Sequence, residues 1–207
     1  MTGKRAADAE AMARLDDGAL LIAFEQRHRL LRYPPGQPPT SARPTAFPPP
    51  EGIKRLPPNG GIEALTALGQ GRLLAVAEDP PEGDVVGTAW LREGGAWHRL
   101  SIARNLLFRP TAAALLPVGD VLLLERRFTL IGGAAARLSR IPAGTIRPGA
   151  VLEPAALAEI ASPLTVDNYE GVAAGRGPGG ETVVYLISDD NTNPLQRTLL
   201  MQFRLIE

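Results

Sequence analysis

The stretch Glu63-Ala-Leu-Thr-Ala-Leu-Gly-Gln-Gly-Arg-Leu-Leu-Ala-Val-Ala-Glu78 holds two short apolar runs around a Gly-Gln-Gly turn, with a glutamate at each end. Related copies recur at residues 10–25, 111–125 and 170–189, each opening on an acidic or small residue and closing on an acid. Two apolar runs of strand length around a glycine-containing turn predict a β-hairpin. Repetition of such hairpins along a chain indicates a repeat architecture.

The sequence around these hairpins supplies further β-patterned runs, up to four in a repeat. Repeats of four short antiparallel strands are typical of a β-propeller. We therefore predict an all-β fold, a β-propeller with about four blades, and a single domain over residues 1–207. A β-sandwich is the alternative, but it leaves the internal repetition unexplained. One short helix is predicted at Ala155–Ala161, because Glu153 and Pro154 precede it as a helix start would require.

The proline-rich segment 34–58 interrupts the repeats. Proline lacks a backbone N–H and fixes φ, so this segment cannot be a helix interior or a central strand. We predict a long surface connection or sheet edge. A polyproline docking motif is the alternative.

The bulk composition restricts the classes of function. The chain has 22 basic and 22 acidic residues, so its formal net charge is zero. This balance argues against nucleic acid or an anionic membrane as the main partner, since both select for basic proteins. There is no cysteine, which excludes disulfides and thiolate metal sites. No apolar run is long enough to span a bilayer, and Met1–Ala6 contains no apolar segment of the kind found in signal peptides.

The acids at the hairpin ends are the main clue to function. The start of one strand and the end of its antiparallel neighbour lie at the same sheet edge, so the two acids of a hairpin should meet there. In a propeller these edges converge around one mouth, which predicts a ring of acids. Its members would be Glu10, Glu25, Glu63, Glu78, Glu125, Glu170 and Asp189.

A ring of like charges needs compensation. Arginines follow two of the acids at the same offset, in Glu25-Gln-Arg27 and Glu125-Arg-Arg127. A divalent cation is the second means of compensation, and hard oxygen ligands without thiolates favour Ca²⁺, or Mg²⁺ or another divalent cation, over zinc. For any single glutamate, an ordinary solvated strand end remains the alternative.

The last repeat and one histidine add further polar groups. Asp167-Asn168-Tyr-Glu170-Gly and Ser-Asp189-Asp190-Asn place acids and amides in two loops. Asp and Asn are also common turn formers, so a structural role for the amides stays open. His28, between two arginines, is a candidate acid or phosphate contact, with a surface or packing role as the alternative.

Six motifs carry a resemblance to a known family: Asp8-Ala-Glu10-Ala, Ala23-Phe-Glu25-Gln-Arg27-His28, Asn59-Gly-Gly-Ile-Glu63, Leu124-Glu125-Arg126-Arg127-Phe128, Asp167-Asn168-Tyr169-Glu170-Gly171 and Ser188-Asp189-Asp190-Asn191 with the following Gln196-Arg197-Thr198. Together they resemble the bacterial phytase-like family, also described as esterase-like activity of phytase. The resemblance implies a β-propeller with clustered acids, a periplasmic or secreted location, and hydrolysis of phosphoric esters. Members of that family usually carry a signal sequence and further strands upstream of the Asp-Ala-Glu motif. We therefore expect this chain to lack the N-terminal blades. The third repeat also departs from the pattern, because Thr111 stands where the others carry glutamate.

The function predicted from the sequence is a metal-assisted hydrolase of a small-molecule phosphoric ester. The predicted metal ligands are Glu10, Glu63, Glu78, Asp167, Asn168, Glu170, Asp189 and Asp190. The predicted phosphate contacts are Arg27, Arg127 and Arg197, and the predicted catalytic groups are Glu25, Glu125 and His28. Two alternatives stay open: a sugar-lactonase-type hydrolase, and a propeller that binds a ligand or protein without catalysis.

Overall fold

The computed structural model describes residues 8–105, 107–130 and 132–206, and Met1–Ala6 lies outside this range. Within the described residues the strands form four sheets that follow one another along the chain. The first contains β1 (Ala9–Arg14), β2 (Leu20–Phe24), β3 (Arg29–Tyr33) and β4 (Thr45–Phe47) in that spatial order. The second contains β5 (Ile62–Gly69), β6 (Arg72–Ala77), β7 (Gly87–Glu93) and β8 (Ala96–Ile102).

The third sheet contains β9 (Arg109–Leu115), β10 (Val121–Thr129), β11 (Gly133–Ile141) and, beyond a two-residue strand β12 (Val151–Leu152), the edge strand β13 (Ala155–Ala161). Strand β12 pairs in parallel with β8 of the second sheet. The fourth sheet contains β14 (Tyr169–Arg176), β15 (Thr182–Ser188) and β16 (Leu200–Leu205). Apart from β12, all neighbours are antiparallel and mostly sequential, as in propeller blades. The prediction of an all-β propeller with about four blades is confirmed.

The described chain divides into two compact units. The first unit consists of blades one and two together with Ile146–Leu152, and the second consists of blades three and four. In the first unit, the initial strands β1 and β5 contact each other. Ala11 and Ala13 alternate with exposed neighbours along β1 and pack into a core that includes Leu21, Leu65 and Trp90. Their small side chains let two blades approach closely.

The second unit has a core of its own. Leu122, Leu124, Leu138 and Leu186 pack there around Tyr169, whose side chain is fully buried. Burying one leucine side chain stabilises a fold by roughly 1.5–3 kcal/mol, so these strands are held mainly by their apolar faces. The first strands of these two blades, β9 and β14, are in contact, and both lie in the second unit.

The predicted helix at Ala155–Ala161 is wrong, because these residues form the edge strand β13. They pair with β11, with Ala161 opposite Ala135 and Glu159 opposite Arg137. Alanine favours helices, but a helix of seven residues is unstable unless it buries an apolar face. Most of this segment is exposed, so pairing with a free sheet edge decides its conformation.

The proline-rich segment 34–58 runs along the surface, as predicted, and part of it is held to blade two. It contains β4 and a 3-10 turn at Ile53–Arg55. The indole N–H of Trp97 donates to the Pro48 carbonyl at 2.8 Å, and that of Trp90 donates to the Glu51 carbonyl at 3.2 Å. Two side-chain donors thus fix a stretch whose prolines have no backbone N–H of their own.

Candidate functional site

The first strand of every blade carries a β-bulge at the same place. In blade one, Ala9 pairs with Phe24 and Ala11 with Ala23, which leaves the residue between them without a partner on β2. The other three blades repeat this register shift. The bulged residues are Glu10, Glu63, Thr111 and Glu170. A bulge turns its side chain out of the regular alternation and is common next to functional sites. The hairpin repeat seen in the sequence is therefore also a repeat of backbone geometry.

The register defines a second equivalent position on the second strand, the residue that follows the partner of the residue before the bulge. In three blades its backbone N–H donates at 3.0 Å to the carbonyl two residues before the bulge. The residues at this closing position are Glu25, Glu78, Arg126 and Asp189. The sequence alignment of repeats placed Glu125 here, and that placement is wrong by one residue, because Glu125 pairs with Pro110 and Arg126 with Arg109.

Blade one brings three carboxylates together. Asp8, Glu10 and Glu25 each offer an oxygen, and these oxygens lie within 4.8 Å of one another. Within residues 8–105, 107–130 and 132–206, this is the one group of three or more His, Cys, Asp or Glu side chains that meets this distance. We call Asp8, Glu10 and Glu25 the acidic cluster. All three side chains are half-buried.

The electrostatics of the cluster disfavour a third negative charge. Burial raises the pKa of Glu25 above its ordinary value of 4.5, and the charges of Asp8 and Glu78 raise it further. A hydrogen bond from the Gly61 backbone works in the opposite direction without cancelling the increase. Glu78, the closing residue of blade two, thus acts on the cluster of blade one, and both lie in the first unit.

Gly61 lets two side chains lie close to the backbone beside the cluster. A Cβ atom at this position would lie 3.0 Å from the Glu25 Cβ and 3.4 Å from His28 Nδ1. The first distance is too short for any real side chain to be accommodated without movement, so glycine lets Glu25 and His28 approach the same stretch of backbone. His28 Nε2 lies 3.0 Å from the Pro57 carbonyl, which fixes the proton on Nε2. Its Nδ1 is buried and has no hydrogen-bond partner in the described part of the protein.

The loop that carries these groups has an unusual backbone. Gln26 has a φ of 57°, in the left-handed region that non-glycine residues seldom adopt. Its N–H donates to the Pro58 carbonyl at 3.0 Å, and its side-chain amide donates to Asn59. Strained residues held by several contacts are frequent at functional sites. The turn leaves Arg27 exposed, with its carbonyl accepting from Arg29.

In the second unit the predicted ligands are bound to protein groups. Arg126 donates to the Asn168 side chain at 2.9 Å and lies 3.7 Å from the Glu170 carboxylate. Asn168 in turn donates to Glu170 at 2.6 Å. Asp167 accepts from the backbone of Arg197 at 3.1 Å and lies 3.7 Å from its guanidinium. These contacts satisfy the carboxylates with donors and cations from the chain itself.

Asp189 and Asp190 organise the loop that follows β15. Asp189 accepts from the Asn191 N–H at 2.9 Å, and Asp190 accepts from the Thr192 N–H at 2.8 Å and the Thr198 hydroxyl at 3.1 Å. Side-chain acceptors two residues before a backbone donor are typical of turn-forming Asx residues. The turn-former alternative considered for this loop therefore has direct support for the aspartates.

Glu125 and Arg127 contact different groups, although only one residue separates them in the sequence. Glu125 is only 5% exposed and accepts a hydrogen bond from the Ser139 hydroxyl at 2.7 Å. Arg127 donates to Glu159 at 3.2 Å and its guanidinium lies 5.3 Å from the Phe108 ring centre. Arg126, Arg127 and Arg197 all line a cleft of about 630 Å³ in the second unit, together with Asp167 and Asn168.

Sequence reasoning missed three residues of these sites. Asp8 lies two residues before Glu10 and so follows the alternation of a strand, which was a usable signal. Gly61 matters because of the two side chains that approach it, and nothing in a single sequence shows such an approach. In the sequence Arg126 stands between Glu125 and Arg127 with no predicted role, whereas the register makes it the equivalent of Glu25.

Comparison with known families agrees with the hairpin repeat and the acids. The model of the phytase-like family, described as esterase-like activity of phytase, matches residues 1–192. The chain belongs to the phytase-like family. The resemblance inferred from the motifs is confirmed, and a hydrolase-type role fits the description of the family. No curated protein is significantly similar in sequence to this phytase-like chain.

Solved structures with a similar fold have low sequence identity. A Bacteroides caccae protein of unknown function has 9% identity and a TM-score of 0.45, covering 94% of this chain and 60% of its own. The PQQ-bound aldose sugar dehydrogenase from Streptomyces coelicolor has 13% identity and a TM-score of 0.47, covering 94% of this chain and 81% of its own. Virginiamycin B lyase from Staphylococcus aureus has 12% identity and a TM-score of 0.46, covering 99% and 72%. The phytase-like chain thus spans 60% of the length of the first of these proteins.

None of the helices in the described residues has the length and apolar character needed to cross a membrane.

Proposed function

We propose that this phytase-like protein is a metal-assisted hydrolase of phosphoric esters, with its ion at the acidic cluster. The observation that supports this most directly is the approach of three carboxylate oxygens to within 4.8 Å, where burial and like charges raise the pKa of Glu25. A cation bound there would offset this cost, because a nearby opposite charge favours the ionised form of a carboxylate.

The residues present fit Ca²⁺. The cluster offers hard oxygen ligands, and the chain has no cysteine that would favour a softer metal. Asp8 and Glu10 are the proposed ligands, with Glu78 contributing charge from the neighbouring blade. Ca²⁺ binds six to eight oxygens, so two or three carboxylates leave positions for water and phosphate. Mg²⁺ or another divalent cation is the alternative.

A bound ion would neutralise phosphate charge and polarise a water molecule. Glu25 is the proposed general base, because a carboxyl with a raised pKa accepts a proton more readily at neutral pH than an ordinary one. His28 Nδ1 is a second proton acceptor, since Nε2–H is engaged with Pro57 and Nδ1 is left as a lone pair. Gly61 lets both groups lie against the same stretch of backbone.

The other candidate residues lie outside the acidic cluster. Arg27 is an exposed candidate for phosphate binding near the cluster, and Arg127 and Arg197 are candidates in the second unit. Glu125 is not assigned as a base here, because it is buried and engaged with Ser139. Asp167, Asn168, Glu170, Asp189 and Asp190 are an alternative ligand set in the second unit, and Glu63 is a further candidate ligand in the first. We also propose that residues 1–207 form a single propeller domain, in a periplasmic or secreted protein.

The test combines a phosphoester assay with a stability assay. We expect hydrolysis of p-nitrophenyl phosphate or its diester in millimolar Ca²⁺ and its loss in EDTA. Ca²⁺ at about 100 times its Kd should raise the free energy of unfolding by roughly 2.7 kcal/mol. Glu25→Gln should lower kcat on the order of 100-fold, the lower range for loss of a general base. Glu10→Gln should remove the Ca²⁺ stabilisation.

Two variants serve as controls. Glu82→Gln changes an exposed acid of the first unit and should leave both readouts at the wild-type level. Glu170→Gln should keep the Ca²⁺ stabilisation, whereas the alternative ligand set requires its loss. If no divalent ion shifts stability and no ester is turned over, the propeller binds a ligand or protein without catalysis. Lactone hydrolysis without phosphoester hydrolysis would favour the lactonase-type alternative.

A further inference from the structure

A cleft lined by none of the acidic cluster residues lies between the proline-rich segment and blade two. Residues 48–55, which we call the strap, border a cleft of about 780 Å³ together with β7 and β8. The cleft is lined by both tryptophans of the chain, Trp90 and Trp97, and by the cations Lys54, Arg55 and Arg99. Its volume falls in the range of roughly 300–1,000 Å³ typical of ligand pockets.

The strap is fixed before any ligand arrives. The two indole N–H groups hold the carbonyls of Pro48 and Glu51, and Ile53 is buried in the core of the first unit. Gly52 has a φ of 82°, which L side chains rarely adopt, so the turn that presents Lys54 and Arg55 favours glycine. A pre-organised cleft loses little conformational entropy on binding.

The charge of the cleft is positive. Lys54 and Arg55 are exposed, and in the part of the chain that the structure describes their side chains make no ion pair or hydrogen bond. Arg99 donates to Asp84 at 2.6 Å. The carboxylate that lines the cleft is Glu51, so three cations face one acid. Two exposed cations without partners contribute nothing to folding that the structure shows.

Trp97 supplies a flat apolar surface beside these cations. Its indole is partly exposed, although its N–H is engaged with Pro48. The exposed part of the indole offers an apolar surface on which the C–H groups of a sugar ring can pack, and adjacent cations recognise a carboxylate on that ring. A single exposed indole and a net charge of zero do not suit a nucleic acid, which requires a wide basic surface.

We propose that the strap cleft binds an acidic oligosaccharide, with a sugar ring on Trp97 and its carboxylates at Lys54 and Arg55. The site is independent of the acidic cluster and of any hydrolytic activity. It uses none of the residues assigned to metal, base or phosphate.

Intrinsic tryptophan fluorescence tests this directly, because both tryptophans of the protein line the cleft. The wild-type protein is titrated with trigalacturonate, which has charged rings, with maltotriose, which has neutral rings, and with citrate, which has charge without rings. We expect a saturable change with trigalacturonate and binding at least tenfold weaker with the other two. A dependence on salt should accompany it. Equal binding of maltotriose or citrate, no saturable change, or tighter binding of an oligothymidylate would overturn the proposal.

The matched variants are Lys54→Ala/Arg55→Ala and, as control, Arg43→Ala. Arg43 is another exposed arginine of the proline-rich segment and does not line the cleft. The double variant should bind trigalacturonate at least tenfold more weakly, with an unchanged Tm, and the control should bind as the wild type does. An unchanged affinity in the double variant contradicts the proposal. Ca²⁺ stabilisation should be the same in all three proteins, so failure here is separable from failure of the proposed hydrolase.

Discussion

The same backbone position carries an acid in both blades of the first unit and an arginine in one blade of the second. In the first unit the closing residues are Glu25 and Glu78, and the pKa of Glu25 is raised by burial and by neighbouring acids. In the second unit one closing residue is Arg126, which donates to Asn168 and lies 3.7 Å from Glu170. The bulge and the register are common to both units. The difference shows that the fold provides a place for charge, and the side chain decides whether a cation must come from outside.

The largest expected effect distinguishes a structural acid from a cluster acid. Glu125 is buried and accepts from Ser139, whereas Glu25 is half-buried among like charges. Replacing Glu125 with Ala removes the acceptor and leaves a buried hydroxyl without its partner. We expect the free energy of unfolding to fall by about 3 kcal/mol. Urea denaturation in EDTA measures it.

The contrast with blade one supplies the control. Glu25→Gln in EDTA should not destabilise the protein, because it removes a charge that burial and two acids disfavour. Ser139→Ala should be destabilising in the same direction as Glu125→Ala but by less, about 1–2 kcal/mol. A loss of 2 kcal/mol or more in Glu25→Gln, or none in Glu125→Ala, would show that the two acids have been assigned the wrong way round.

Much of the fold could be predicted from local patterns. Alternating apolar runs and glycine turns placed the strands of each blade, because side-chain alternation and turn geometry are local properties. The first hairpin turns at Asp16-Asp17-Gly18, where the Gly18 N–H donates to the Leu15 carbonyl and Gly18 has a φ of 81°. The prediction of a helix at Ala155–Ala161 was wrong, because these residues pair with the distant strand β11. Local helix propensity does not reflect such a partner.

The candidate site was harder to predict for the same reason. The proximity of Glu10 and Glu25 could be predicted, since both belong to the hairpin formed by β1 and β2. Glu125 was misplaced because the repeats were aligned by residue type alone. The bulge at Thr111 sets the true register. A shift of one residue in register exchanges the two faces of a strand. The space at Gly61 and the orphan His28 Nδ1 depend on contacts between separate loops, which a single sequence does not reveal.

A smaller change in the free energy of unfolding is expected for Arg126, which stands at the closing position of blade three where blade one has Glu25. Arg126→Met keeps an unbranched apolar stem and removes the guanidinium, which leaves Glu170 without this cation. The pair is about one-third exposed on both sides, so we expect a loss of about 1 kcal/mol or less. A double-mutant cycle with Glu170→Gln isolates the coupling between the two side chains. Arg43→Met, an exposed arginine, is the matched control. Coupling energy indistinguishable from zero would mean that Arg126 does not compensate Glu170.

The smallest effect is a difference of sign in the pH dependence of the two units. The pKa of Glu25 is raised above its ordinary 4.5, first by burial and then by Asp8 and Glu78. The folded state therefore holds this proton more tightly than the unfolded chain. Its contribution to stability is present below pH 4.5 and is lost as the pH rises through the raised pKa.

Asp120 in the second unit should behave in the opposite way. The backbone N–H of Ala143 lowers its pKa from 3.8, with Arg140 adding to the effect, so its contribution is lost as the pH falls through the lowered pKa. Urea unfolding in EDTA over a pH series, with Glu25→Gln and Asp120→Asn, measures both. Relative to Glu25→Gln, the wild type should weaken as the pH rises, and relative to Asp120→Asn it should weaken as the pH falls. Ca²⁺ should reverse the first trend, because the ion binds the ionised cluster. A Glu25 profile that Ca²⁺ leaves unchanged would separate the raised pKa from metal binding and remove the main support for an ion at this position.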